Sequence, residues 1–136
     1  MRYWLLKSEP ETYSFAQLQK DKRTNWNGVR NFQARNFIRE IAKGDLCLIY
    51  HSGDHKAVVG VARALGAPYA DPDAEKAGEW LQIDLAPVEA WPEPVTLKQI
   101  KTTKALATIP LIKQSRLSVM PVTEAHYQTL RKLGGA

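Results

Sequence analysis

A chain of 136 residues, 44% hydrophobic and 24% charged, can bury one core, fits a single domain over residues 1–136 and lies far from disordered compositions. One cysteine, Cys47, excludes an internal disulfide and a cysteine-based zinc site, and the histidines at 51, 55 and 126 lack metal-ligand spacing, so neither metal nor cofactor is expected. The net charge of +5 is unevenly spread: residues 1–63 hold 11 Lys/Arg against 6 Asp/Glu, residues 64–97 hold 1 against 7, and residues 98–136 hold 7 against 1.

In chain order, Tyr3-Trp4-Leu5-Leu6 predicts a buried strand that Ser8-Glu9-Pro10 ends. Ser14 can cap a short helix carrying Phe15 and Leu18, and Asn27-Gly28 marks a turn in a polar loop. Ala34, Phe37, Ile38 and Ile41 recur at helical spacing, with Asn31 as cap and Gly44 beyond, which predicts a helix over Asn31–Lys43. Leu46–Tyr50 and Val58–Ala64 read as a hairpin about the polar turn His51–Lys56. A loop rich in Pro, Asp and Gly leads to a strand from Trp80 to about Glu89, which Pro92-Glu93-Pro94 terminates. Thr96 can cap a short helix with Leu97 and Ile100, Ala105–Lys113 is ambiguous, and Leu117 with Val119 suggests a last strand. Thr123, Tyr127, Leu130 and Leu133 predict a capped C-terminal helix. The fold class is α+β: a small mixed or antiparallel β-barrel with helices packed around it. No apolar run reaches the roughly 20 residues that span a bilayer, and Met1–Lys7 is too short for a signal peptide, so a cytoplasmic location away from membranes is expected.

Local enzyme signatures are missing: no nucleophile elbow, phosphate-cradling glycine loop or dinucleotide fingerprint occurs. Lys7 and Glu9 at a strand end can do acid/base work if desolvated, or are an exposed pair. His51 and Ser52 can form a catalytic couple, but neighbours on a strand point to opposite faces. Trp26, between Asn25 and Asn27-Gly28, suits a base-stacking platform, with a hydrophobic lid on the barrel as the alternative. Arg35 and Arg39 share one helix face and Arg30 precedes its start, which suits anions or a solvated surface. Trp4, Trp80 and Trp91 fit core or edge packing. If the two basic outer segments meet in space, they form a cationic face for phosphates.

Tyr3-Trp4-Leu5-Leu6-Lys7-Ser8-Glu9-Pro10 and Trp26-Asn27-Gly28-Val29-Arg30-Asn31 resemble hallmarks of the EVE domain. Gly44-Asp45-Leu46, Tyr50-His51-Ser52, Val59-Gly60-Val61-Ala62 and Arg116-Leu117-Ser118-Val119-Met120-Pro121-Val122 resemble its further blocks in the same order, so the resemblance spans nearly the whole chain. It implies a PUA-like barrel, related to YTH and ASCH domains, and a role in reading modified bases in nucleic acid. It also implies that the Lys7-Ser8-Glu9 strand end, Trp26-Asn27 and the Tyr50-His51-Ser52 strand end line one pocket. Trp26 matches the ring that stacks on the base in YTH domains. Ser8, Asn27 and Ser52 would contact polar base edges, His51 would orient the pocket or stay structural, and Lys7, Arg30, Arg35 and Arg39 would meet phosphates or sugars. Tyr69 is the candidate for a second aromatic wall. Relatives often carry an acid at the position of Asn27 and an asparagine at that of Gly53. The expected function is a non-catalytic module for DNA or RNA carrying a modified base, with no obligate protein partner. The alternatives are an ASCH-like hydrolase of acylated or otherwise modified nucleobases or nucleosides, resting on Lys7 and Glu9, and an interaction module for an acidic protein.

Overall fold

Four of the helices begin where a short polar side chain can take up an orphan backbone N–H. In the computed structural model, which describes residues 1–136, Ser14 accepts from Gln17, Asn31 from Ala34, Thr96 from Gln99 and Thr123 from His126. The helices so started are α1 (Phe15–Asp21), α2 (Phe32–Glu40), α3 (Leu97–Thr102) and α5 (Glu124–Leu133); α4 (Pro110–Lys113) starts at a proline. The strands are β1 (Tyr3–Ser8), β2 (Thr24–Trp26), β3 (Leu46–His51), β4 (Ala57–Ala64), β5 (Tyr69–Ala70), β6 (Leu81–Thr96) and β7 (Val119–Val122). The ambiguous stretch Ala105–Lys113 holds the end of a 3-10 turn, Lys104–Leu106, and α4.

The strands form one mixed sheet in the order β2-β6-β4-β3-β1-β7, with β5 added to β6. β1 and β3 are parallel, joined through α1, β2 and α2, and every other pair is antiparallel. The predicted hairpin is β3–β4. Buried side chains from the four central strands, among them Trp4, Leu6, Leu48, Val61, Ile83 and Leu85, belong to one continuous core, where each fully buried large side chain contributes about 1.5–3 kcal/mol. Gly60 lets α1 press onto β4: a Cβ there would lie 2.7 Å from both Phe15 Cζ and the Glu89 carbonyl oxygen.

Three predicted boundaries are corrected. Thr24–Trp26 is not loop but strand, pairing with Ile83–Leu85. α2 stops at Glu40, short of Lys43, because the Asp45 carboxylate takes the Ala42 N–H at 2.9 Å and turns the chain into β3. β6 runs through Pro92 and Pro94 to Thr96: Gly60 pairs with Ala90 and Val58 with Val95, so both prolines fall in a bulge where no ladder N–H is required.

The sheet curls into a half-barrel, and its outermost strands β2 and β7 bound an open seam. Helix α2 packs on both β7, at one end of the sheet, and β6, next to the other end. No helix is long and apolar enough to cross a membrane.

Candidate functional site

In that seam, beside the C-terminal end of β1, lies a cavity of about 550 Å³. Its walls come from Lys7 and Ser8 of β1, Thr12 and Tyr13 of the next loop, all of β2, Asn27–Arg30, and Ser118 just before β7. Side chains on β2 alternate, so Asn25 faces outward while Trp26, opposite Ile83, turns inward and is only 8% exposed. Trp26 is thus core member and cavity wall at once. Tyr13 meets it edge-on, with ring centroids 6.4 Å apart at 86°, and the two make an aromatic corner. The Tyr13 hydroxyl donates to Asp21 at 2.8 Å, and Ser8 Oγ donates to the Tyr13 carbonyl at 2.7 Å, which holds the loop against β1. Burial pushes the Tyr13 phenol up from its ordinary value, so the ring stays neutral.

Lys7 brings together the two basic segments. Its backbone N–H donates to the Ser118 carbonyl at 2.9 Å and its amine to the Ser115 carbonyl at 2.9 Å. The amine lies 5.7 Å from the Tyr50 ring centroid, forms no salt bridge, and burial pulls it below the usual lysine value. Its remaining donors are available to a ligand with an electron-rich or anionic edge.

Asp71, which no motif marks, fixes the opposite wall. It is 3% exposed and accepts from Gly28 N–H at 3.0 Å, Arg30 Nη1 at 3.1 Å and Asp73 N–H at 2.9 Å. Burial pushes its carboxyl up, but these three donors outweigh that and hold it below the usual range. Gly28, at φ +79°, adopts the left-handed turn that presents its N–H to this carboxylate. The only sequence signal was Asp71-Pro72-Asp73, an Asx-turn pattern.

Of the residues proposed from sequence, Lys7, Ser8, Trp26, Asn27 and Arg30 meet at the cavity. Glu9, Tyr50, His51 and Ser52 were expected on its wall, and the structure places them elsewhere. Glu9 sits in an exposed turn where its carbonyl accepts from Thr12 and Tyr13, and no ion pair joins it to Lys7. Tyr50 is buried beneath Lys7, and the Ser52 N–H donates to the Ser8 carbonyl at 2.9 Å, bracing the wall from behind. His51 Nε2 accepts from the Phe15 N–H at 3.1 Å, which requires a neutral ring. Burial, reinforced by nearby His55, holds His51 below its ordinary value. Tyr69 is not a wall: its hydroxyl donates to Asp84 at 2.6 Å, and Tyr13 holds the second aromatic position. Arg35 donates to the carbonyls of Gly78 and Glu79 at 2.9 and 3.1 Å, and Arg39 to Gly78 at 3.3 Å, so both clasp the loop before β6.

A curled mixed sheet with helices around it and a ligand-sized pocket in its seam defines a PUA-like domain. Residues 2–133 match the EVE domain, and the chain belongs to that family. Thymocyte nuclear protein 1 of Gallus gallus is 30% identical over 164 residues, covering 96% of this chain and 68% of the chicken protein. Protein Atu2648 of Agrobacterium tumefaciens superposes with a TM-score of 0.94 at 37% identity, covering 99% of this chain and 94% of its own. The human THYN1 protein, solved in complex with 5-methylcytosine-containing DNA, superposes with a TM-score of 0.88 at 27% identity over 100% of this chain and 99% of the human one.

Proposed function

We propose that this protein is a non-catalytic reader that takes a modified base of DNA into the cavity between Trp26 and Tyr13. The observation that carries the reading is the aromatic corner, set in a cavity of ligand size and bordered by two cations, Lys7 and Arg30. The human relative's complex with methylated DNA supports the ligand class. In this reading Trp26 stacks on the base, Ser8 and the Asn27 amide meet its polar edges, and Lys7 and Arg30 neutralise flanking phosphate. An added methyl contributes only about 0.8 kcal/mol by burial, so polar groups left unpaired around the wrong base must supply the rest of the discrimination. The hydrolase alternative draws less support, since its Lys7–Glu9 pair is unassembled and Glu9 lies off the cavity.

The test is titration of modified and plain DNA duplexes by fluorescence anisotropy. Trp26→Ala is expected to weaken binding of the modified duplex about tenfold or more, since base stacking on an aromatic ring is worth roughly 1–3 kcal/mol, while Trp26→Phe retains most of it. A Trp26→Ala protein that melts far below wild type yet keeps its affinity makes Trp26 purely a core residue and ends the reading.

A further inference from the structure

Next to the cavity stands an exposed aromatic stack. Phe32 opens α2 and is 61% exposed, although Ala34 and Ile38 of the same helix are buried and Phe37 is partly buried. Its ring stacks on Trp80, with centroids 5.0 Å apart at 20°. The Arg35 guanidinium lies 5.1 Å from the Phe32 ring centroid, and that of Arg30 lies 5.3 Å from the Trp80 centroid. Both arginines are themselves tethered, Arg30 to the buried Asp71 and Arg35 to the carbonyls of Gly78 and Glu79. The result is a rigid aromatic edge presented to solvent between two cations. Arg30 belongs both to this stack and to the cavity wall, so the two features share a rim.

We propose that Phe32 is a second nucleobase contact, a wedge that enters the duplex beside the extruded nucleotide and stacks on the neighbouring base pair. The inference rests on the base-pocket reading above. Extruding a base leaves a gap in the stack, and proteins that distort duplexes fill or prise open such steps with apolar side chains. Phe32 lies two positions beyond Arg30, a reach of at most about 7 Å along the chain, so the two stand within about two steps of about 3.4 Å along a nucleic-acid strand. A ring already held against Trp80 loses little freedom when it binds. The flanking guanidinium groups suit a polyanion and disfavour an apolar protein partner.

The experiment uses the full chain with duplexes carrying 5-methylcytosine, 5-hydroxymethylcytosine or N6-methyladenine, with 2-aminopurine beside the modified base, and the matching free mononucleotides. With the duplex that binds wild type most tightly, Phe32→Ala is expected to lose about tenfold in affinity and to abolish the 2-aminopurine unstacking signal. Its affinity for the mononucleotide stays unchanged, and Phe32→Trp restores both duplex readouts. Duplex affinity of Phe32→Ala within twofold of wild type overturns the wedge, as does an equal loss for duplex and mononucleotide. If wild type binds modified and plain duplexes alike and Trp26→Ala binds no more weakly, the base pocket fails and takes this proposal with it.

Discussion

Two buried aspartates, Asp45 and Asp71, use the same chemistry to different ends. Each is 3% exposed, each accepts three N–H donors, and in each the upward push of burial is outweighed by those donors, so both carboxyls stay below the usual range. Asp45 binds the Arg2 and Ala42 N–H groups and the Trp4 indole, so it ties the start of β1 and the end of α2 to the start of β3. No cavity residue is among its partners. Asp71 binds Gly28 and Arg30, both on the cavity wall, from a loop distant in sequence. A buried carboxylate is thus a staple in either case, and its partners decide whether it holds the fold or the site.

The contrast is sharpest under truncation. Asp45→Ala leaves three donors unpaired, one from the fully buried Trp4. It is expected to cost about 3 kcal/mol, or roughly 10 °C in Tm by differential scanning fluorimetry, while the protein still folded at low temperature binds modified duplex normally. Asp71→Ala is expected to do the reverse. Releasing Gly28 and Arg30 should reduce affinity about tenfold, equivalent to about 1.4 kcal/mol, with a Tm shift less than half that of Asp45→Ala. Matched Tm losses with unchanged affinity in both variants would erase the distinction.

The smallest expected effect is a pH dependence in two steps. His51 has a folded value below its ordinary one of about 6.5, so the folded state binds fewer protons than the unfolded chain between those values. Its contribution is therefore complete above about pH 6.5 and declines as pH falls from there, when protonation of Nε2 ends the bond from Phe15 at the start of α1. Nearby Glu11 opposes this shift without reversing it. The two aspartates, held low, keep their contributions down to about pH 4 and lose them as pH falls through their folded values. Thermal melts from pH 8 to 3 should show a shallow decline and then a steep one, and His51→Gln should remove the first only. A flat profile from pH 8 to 5 in wild type would show that the Phe15–His51 bond carries no stability.

Local physics explains which elements could be read in advance. A cap needs only its own side chain and an N–H three residues on, so Ser14, Asn31, Thr96 and Thr123 were legible, as were the hairpin β3–β4 and the apolar run of β1. β2 was invisible because Thr24-Asn25-Trp26 has too few residues to show a period and becomes a strand only by pairing with β6. The prolines of β6 stop an ideal strand but not a bulged one, and the bulge depends on the register with β4.

The sequence by itself determined the four capped helix starts, the main strands, the uneven charge and the family motifs that drew Lys7, Ser8, Trp26, Asn27 and Arg30 to attention. Only the tertiary structure decided what stands around them. It put Tyr13 against Trp26, replaced Tyr69 as a wall, drew Arg35 and Arg39 onto the loop before β6, and set Tyr50, His51, Ser52 and Glu9 off the cavity. The physical reason is sequence distance. The bonds that shape the cavity join Gly28 to Asp71 across 43 positions and Lys7 to Ser115 across 108, and no local pattern specifies a partner that only strand pairing brings close, β7 beside β1 and both β2 and β5 on β6.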